Sequence, residues 1–114
     1  MSQLPECWGE LFGRSLTSLE LSDNQLGKIP ASVGKLAKLA SLQLKNNNLR
    51  ELPEELFDIM ALTQLNLDNN KFKRLSDRIG QCVCLVDLSV QENYLRDLPQ
   101  SIGKLHRLKS LKVA

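Results

Sequence analysis

Few side chains in this chain could carry bond-making chemistry. There is one histidine, His106, and there are three cysteines, Cys7, Cys82 and Cys84. Cys82 and Cys84 have the spacing of a zinc-binding or redox pair, but a structural zinc takes about four ligands and His106 falls in a later block of sequence. Burial of Cys82 and a surface position for Cys84 are the simpler reading. No glycine-rich phosphate loop is present, nor a Ser or Cys nucleophile with a base at a fixed offset. The Glu54-Glu55 pair follows Pro53, where acids suit the positive end of a short helical turn, and implies no pocket. Neither catalysis nor a bound cofactor or metal is expected. What remains is recognition by polar side chains.

Those polar side chains recur at fixed places. Ser18, Glu20, Ser22 and Asp23 are matched by Ser41, Gln43, Lys45 and Asn46, then by Gln64, Asn66, Asp68 and Asn69, then by Asp87, Ser89, Gln91 and Glu92. Lys45 is the one base among them, against the acids Glu20, Asp23, Asp68, Asp87 and Glu92. A partner with a basic surface would meet complementary charge there and associate faster. Tyr94 and Lys71 follow soon after and add an aromatic and a cationic contact on the rim. The candidate partner-binding residues are therefore Ser18, Glu20, Asp23, Gln43, Lys45, Gln64, Asn66, Asp68, Asp87, Ser89, Gln91, Glu92 and Tyr94.

The elements that must position these residues follow from a period of 23 residues, opened by Leu16, Leu39, Leu62 and Leu85 and begun again at Leu108. A strict period of this size means a solenoid of stacked coils. Leu19 and Leu21, with Leu42 and Leu44, Leu65 and Leu67, and Leu88 and Val90, alternate with polar residues, as in a strand with one buried face. Identical connections force the strands into a parallel sheet. Its alternate positions, which hold the candidate residues, lie on the concave side.

Asn24, Asn47, Asn70 and Asn93 fall where each coil leaves the sheet. A buried amide can donate and accept at once, so this ladder is expected to satisfy backbone groups of its own and the next coil. Ile29-Pro30, Leu52-Pro53, Leu75-Ser76 and Leu98-Pro99 then open the return path, with further apolar residues at a spacing of three. Proline there starts a 3₁₀ or short helical turn. Ser76 in place of proline is expected to leave the third block least rigid, and Gly34, Gly80 and Gly103 to admit close approach of neighbouring coils. The fold class is an α/β solenoid with a parallel concave sheet and an irregular, 3₁₀ or short-helix convex side.

Residues 1–15 read as a degenerate N-terminal cap, with Leu4-Pro5, Trp8 and Leu11 imitating a returning half coil and Trp8 covering the first layer. Residues 16–107 hold four repeats, and residues 108–114 the first strand of a fifth, incomplete one. Its outer edge is unpaired in the sequence, so a homodimer through this C-terminal edge, or a longer parent array, is the alternative use of the module.

Composition narrows the partners. The formal charge is +2, and residues 101–114 carry Lys104, Arg107, Lys109 and Lys112 without an acid. That patch lacks the aromatic-studded basic stripe of a nucleic-acid site, so no nucleic acid is expected. No apolar run approaches the roughly 20 residues of a membrane span. Without a basic, apolar leader or a disulfide framework, a cytoplasmic location with reduced thiols is expected.

The stretches "LRELPEEL", "LRDLPQSIGKLHRLKSL" and "IPASVGKLAKLASLQL" resemble the 23-residue leucine-rich repeats of intracellular proteins such as the Scribble and Erbin group and the Ras suppressor type. The resemblance covers residues 16–114. It implies a leucine-rich-repeat arc acting as a non-catalytic cytosolic scaffold in signalling, with a protein partner such as a small GTPase, a phosphatase or a polarity factor held on the concave sheet. The 20-residue repeats of bacterial effector ligases and the L-x-G-x-I-P signature of plant receptors are absent.

Overall fold

The computed structural model describes residues 15–113. Five strands, β1 (Ser18–Glu20), β2 (Ser41–Gln43), β3 (Gln64–Asn66), β4 (Asp87–Ser89) and β5 (Ser110–Lys112), form one parallel sheet in chain order. Each residue pairs with the one 23 positions on, as in Ser18 with Ser41 and Leu42 with Leu65. The period of the sequence is thus the register of the sheet. Each strand is only three residues long because the ladder ends where the chain must turn out of it.

Leucine fills the interior in layers, one per coil. Leu42, Leu44, Leu65, Leu67, Leu88 and Val90 from the sheet meet Leu36, Leu56, Ile59, Ile79 and Cys82 from the return path, all buried. Fully burying a leucine contributes about 1.5–3 kcal/mol, so these layers are the main driving force for stacking. The first and last coils are less covered, with Leu16, Leu19, Leu98 and Ile102 only partly buried.

The convex side consists of four 3₁₀ turns, η1 (Ala31–Lys35), η2 (Glu54–Asp58), η3 (Asp77–Gln81) and η4 (Gln100–Lys104). Pro30, Pro53 and Pro99 precede three of them with φ between −70° and −64°. Ser76 takes the same place with φ −64° and ψ 143°, and its hydroxyl accepts a hydrogen bond from the Arg78 N–H at 3.2 Å. The serine thus keeps the geometry of proline and supplies a cap that proline lacks.

Spacing between the convex turns is set by one position. A Cβ on Gly34 would lie 2.6 Å from the Glu55 carbonyl oxygen, and one on Gly80 would lie 2.7 Å from Ser101 Cβ, so both glycines are required by close approach. Gly103 meets nothing within 4 Å and has no such role among the described residues. Phe57 occupies the equivalent place in the second coil and is buried. Its bulk separates η2 from η3, and Arg78 bridges the interval. The guanidinium donates to the Glu54 carbonyl at 2.9 Å and to the Asp58 carboxylate at 2.7 Å.

The expected cap residues Leu4, Pro5, Trp8 and Leu11, and Cys7, lie outside the described residues.

Candidate functional site

The concave surface is held in place by the turn that follows each strand. Asp23, Asn46, Asn69 and Glu92 adopt positive φ between 54° and 63° there. Asn and Asp accept this left-handed conformation more readily than most residues, and Glu92 is the exception in the column. The next residue in each coil is the ladder asparagine. Asn70 is buried; its Oδ1 accepts from the N–H groups of Asn47 at 2.9 Å and Leu49 at 3.0 Å, and its Nδ2 donates to the carbonyls of Leu44 and Leu67. Asn47 does the same for Asn24, Leu26 and Leu21.

The ladder therefore bonds its own coil and the preceding one, not the next coil as expected from sequence. The parallel ladder explains the direction. Near the turn the N–H groups alternate in direction: that of Asp23 points to the following coil, to the Lys45 carbonyl at 2.8 Å, and that of Lys71 points back to the Leu49 carbonyl at 2.7 Å. Donors left over at the turn face forward too, so the acceptor that satisfies them must reach back from the coil ahead.

The strands bring the central candidate residues together. Gln43, Gln64, Asn66, Asp87 and Ser89 line a shallow depression of about 200 Å³, with Asp68, Ser110 and Lys112. Ser110 and Lys112 are absent from the sequence-derived set, although the period carries Asp87 and Ser89 onto them in register. Lys112 places a second cation on a face that otherwise offers only Lys45. Ser18 and Glu20 stand exposed on β1 at one end of the face, and exposed Glu92 at the turn after β4. Lys45 and Asp23 are also exposed, on the turns beyond β2 and β1.

Several of these polar groups already have partners. Asp68 is half-buried and accepts from the Ser89 hydroxyl at 2.6 Å and from the Gln91 N–H at 2.7 Å, so it braces the third coil to the fourth. Asn66 accepts from the Asp68 N–H at 2.9 Å, and Glu20 from the Ser22 N–H at 2.8 Å. Asp87 has only a long contact from Gln64 Nε2, at 3.4 Å. Glu92 is exposed, and Glu20 and Asp87 each accept one contact, so these three acids keep the most available charge, and Asp68 serves the scaffold.

Tyr94 does not line this depression. It is 63% exposed and stands with Lys71 beside a separate groove of about 750 Å³ on the loops beyond the asparagine ladder. Cys82 is buried, and loss of water pushes its thiol up to about 11, with the Arg78 charge pulling more weakly the other way. A thiol held neutral in this way is a poor nucleophile and ligand at neutral pH. Cys84 is half-buried, with Arg107 Nη1 at 3.8 Å from its sulfur. Among the described residues no group of three or more His, Cys, Asp or Glu is placed to hold a metal, and no helix is long and apolar enough to cross a membrane.

The same architecture recurs in solved structures. A leucine-rich repeat protein of Leptospira interrogans superimposes with a TM-score of 0.75 and 28% identity, over 97% of this chain and 34% of that one. The plant peptide hormone receptor RGFR1 in complex with RGF2 gives 0.72 and 28% over 97% of this chain and 22% of the receptor. An internalin from Listeria monocytogenes, at 0.74 and 19% identity over 98% of this chain and 33% of its own, shares the fold. The chain thus spans about a third or less of these proteins' lengths. No curated protein sequence matches it. A family model described as a leucine-rich repeat region matches residues 12–114, and the chain belongs to that family.

Proposed function

We propose that this leucine-rich repeat module is a non-catalytic scaffold that binds a protein partner across its concave sheet, with Glu20 and Asp87 meeting basic residues of that partner. One observation carries the reading: the sheet has a leucine face sealed by the core and an opposite face that is open, polar and indented at its centre. A parallel sheet covered on both faces is the ordinary arrangement, so an open face leaves alternate side chains free for contacts. The structurally similar plant receptor, solved in complex with RGF2, supports binding as a use of this fold. Placement in the cytoplasm, within a signalling scaffold, is the part of the proposal that rests on the sequence resemblance and on the absence of a disulfide between Cys82 and Cys84.

The test is affinity capture from extracts of the source organism with three baits. Wild type and a convex control, Glu55→Lys, should retain at least one common protein that Glu20→Lys/Asp87→Lys loses. Asp68 is left intact because its replacement would break bonds to Ser89 and Gln91. If all three baits retain the same proteins, the concave face is not the binding surface.

A second reading is self-association through β5. Leu111 and Val113 are 37% and 45% exposed, and β5 pairs on one side only, with β4. Light scattering across a concentration range should then show a dimer that Val113→Asp abolishes. A constant monomer mass for wild type would remove this reading.

A further inference from the structure

A second charged surface lies on the opposite side of the asparagine ladder from the concave face. Arg50, Lys73 and Arg96 are separated by 23 residues, the shift that sets the strand register, so they occupy equivalent places in three neighbouring coils. All three are exposed. Coils stacked at the usual strand separation of about 4.8 Å put the three cations in a column roughly 10 Å long. Arg50, Lys71, Lys73, Arg74 and Tyr94, which is 63% exposed, line one groove, and Arg96 lines a neighbouring depression that shares Asp97 with it.

None of these five cations forms an ion pair among the described residues, whereas Arg78 pairs with Glu54 and Asp58. Three acids besides Glu54 stand on the groove, Glu51, Asp77 and Asp97, the first and last of them next in sequence to a column member. Glu54, also on the groove, is occupied by Arg78 and the Ser76 hydroxyl. Like charges at directly neighbouring positions on stacked strands are unfavourable. An exposed row of them beside an aromatic ring has the composition of a recognition surface, since Arg and Tyr are enriched in interfaces.

The geometry points to this column as a docking ridge for an extended acidic segment of a protein partner, separate from the concave face. The match is one of spacing as well as charge. A charged peptide in the polyproline-II form rises about 3.1 Å per residue and returns to the same side every three residues, so carboxylates at i and i+3 lie about 9 Å apart. That separation fits a bridge from Arg50 to Arg96 over Lys73, with Tyr94 packing on the stem of the peptide. Binding here does not depend on the concave reading, and each surface is tested by variants that leave the other untouched.

The test is fluorescence anisotropy with fluorescein-labelled hexaglutamate at low salt. Wild type should bind, and Arg50→Glu/Lys73→Glu/Arg96→Glu should weaken binding at least tenfold. The same change of charge in Lys104→Glu/Arg107→Glu/Lys109→Glu, all exposed on the last coil, should leave affinity within about twofold. Circular dichroism checks that each variant folds; if the triple Glu variant does not, Arg50→Gln/Lys73→Gln/Arg96→Gln replaces it with the same expectation. Absence of wild-type binding, or equal losses in the two triple variants, overturns the ridge. Tighter binding of an oligothymidylate of equal charge also overturns it, in favour of a nucleic acid.

Discussion

Replacing Asn70 with alanine removes the most completely bonded side chain of the ladder. Its Oδ1 satisfies the Asn47 and Leu49 N–H groups, and its Nδ2 satisfies the Leu44 carbonyl at 3.0 Å. Two further acceptors have other donors: the Leu67 carbonyl also takes Asn93 Nδ2, and the Asp68 carbonyl takes the Asn46 N–H. Three backbone groups are therefore left without a partner in a buried region. At about 1–3 kcal/mol for each, discounted for water entering the vacated space, Asn70→Ala should cost about 3–5 kcal/mol. That is a large part of the roughly 5–15 kcal/mol that holds a typical domain together. Asn93→Ala, at a half-buried site where the Phe72 N–H and the Val90 carbonyl lose their bonds, should cost less, about 1–3 kcal/mol. Urea denaturation followed by circular dichroism measures both. A cost below about 1 kcal/mol for Asn70→Ala, or an inverted order of the two, would refute the view that the ladder exists to satisfy the turns.

Three other outcomes follow from particular contacts. Gly34→Ala drives a methyl group against the Glu55 carbonyl and should lower stability by about 1–3 kcal/mol, whereas Gly103→Ala meets nothing and should raise it by about 0.4–1 kcal/mol; thermal melts that fail to separate the two would show that coil spacing is not set by this position. Glu92→Asn relieves a left-handed strain of about 1–2 kcal/mol for an ordinary residue and should raise Tm by several degrees, unless the turn relaxes at no cost and Tm stays put. The Cys82 thiol is harder to ionise folded than unfolded, so its contribution is intact below about pH 9 and is lost as pH rises toward about 11, up to roughly 2 kcal/mol. Stability measured from pH 8 to 11 should fall more steeply in wild type than in Cys82→Ala; parallel curves would show that the thiol does not titrate with unfolding.

Much of this molecule is legible in its repeat. Leu42 and Leu65 come into register because residues 23 apart must, and the proline positions start 3₁₀ turns because their φ is already set. The position of Cys82 in the apolar template was enough to bury it. Tyr94 was harder to place, since the sequence puts it one residue past Asn93, and only the path of the loop shows that it belongs to the groove with Lys71 and not to the concave depression. Asp68 reads as a free acid in the sequence and is a brace in the structure, because its partners Ser89 and Gln91 sit on the next coil.

The amino-acid sequence alone determined the coil, the order and direction of the strands, the leucine layers and the sites of the asparagines, since a one-dimensional period dictates what stacks on what. Only the tertiary structure decided which way the ladder reaches, where Arg78 spans the interval opened by Phe57, and which groove Tyr94 belongs to. Those features depend on which atoms of neighbouring coils come within about 3 Å of each other, and hydrogen bonds and ion contacts are decided at that distance.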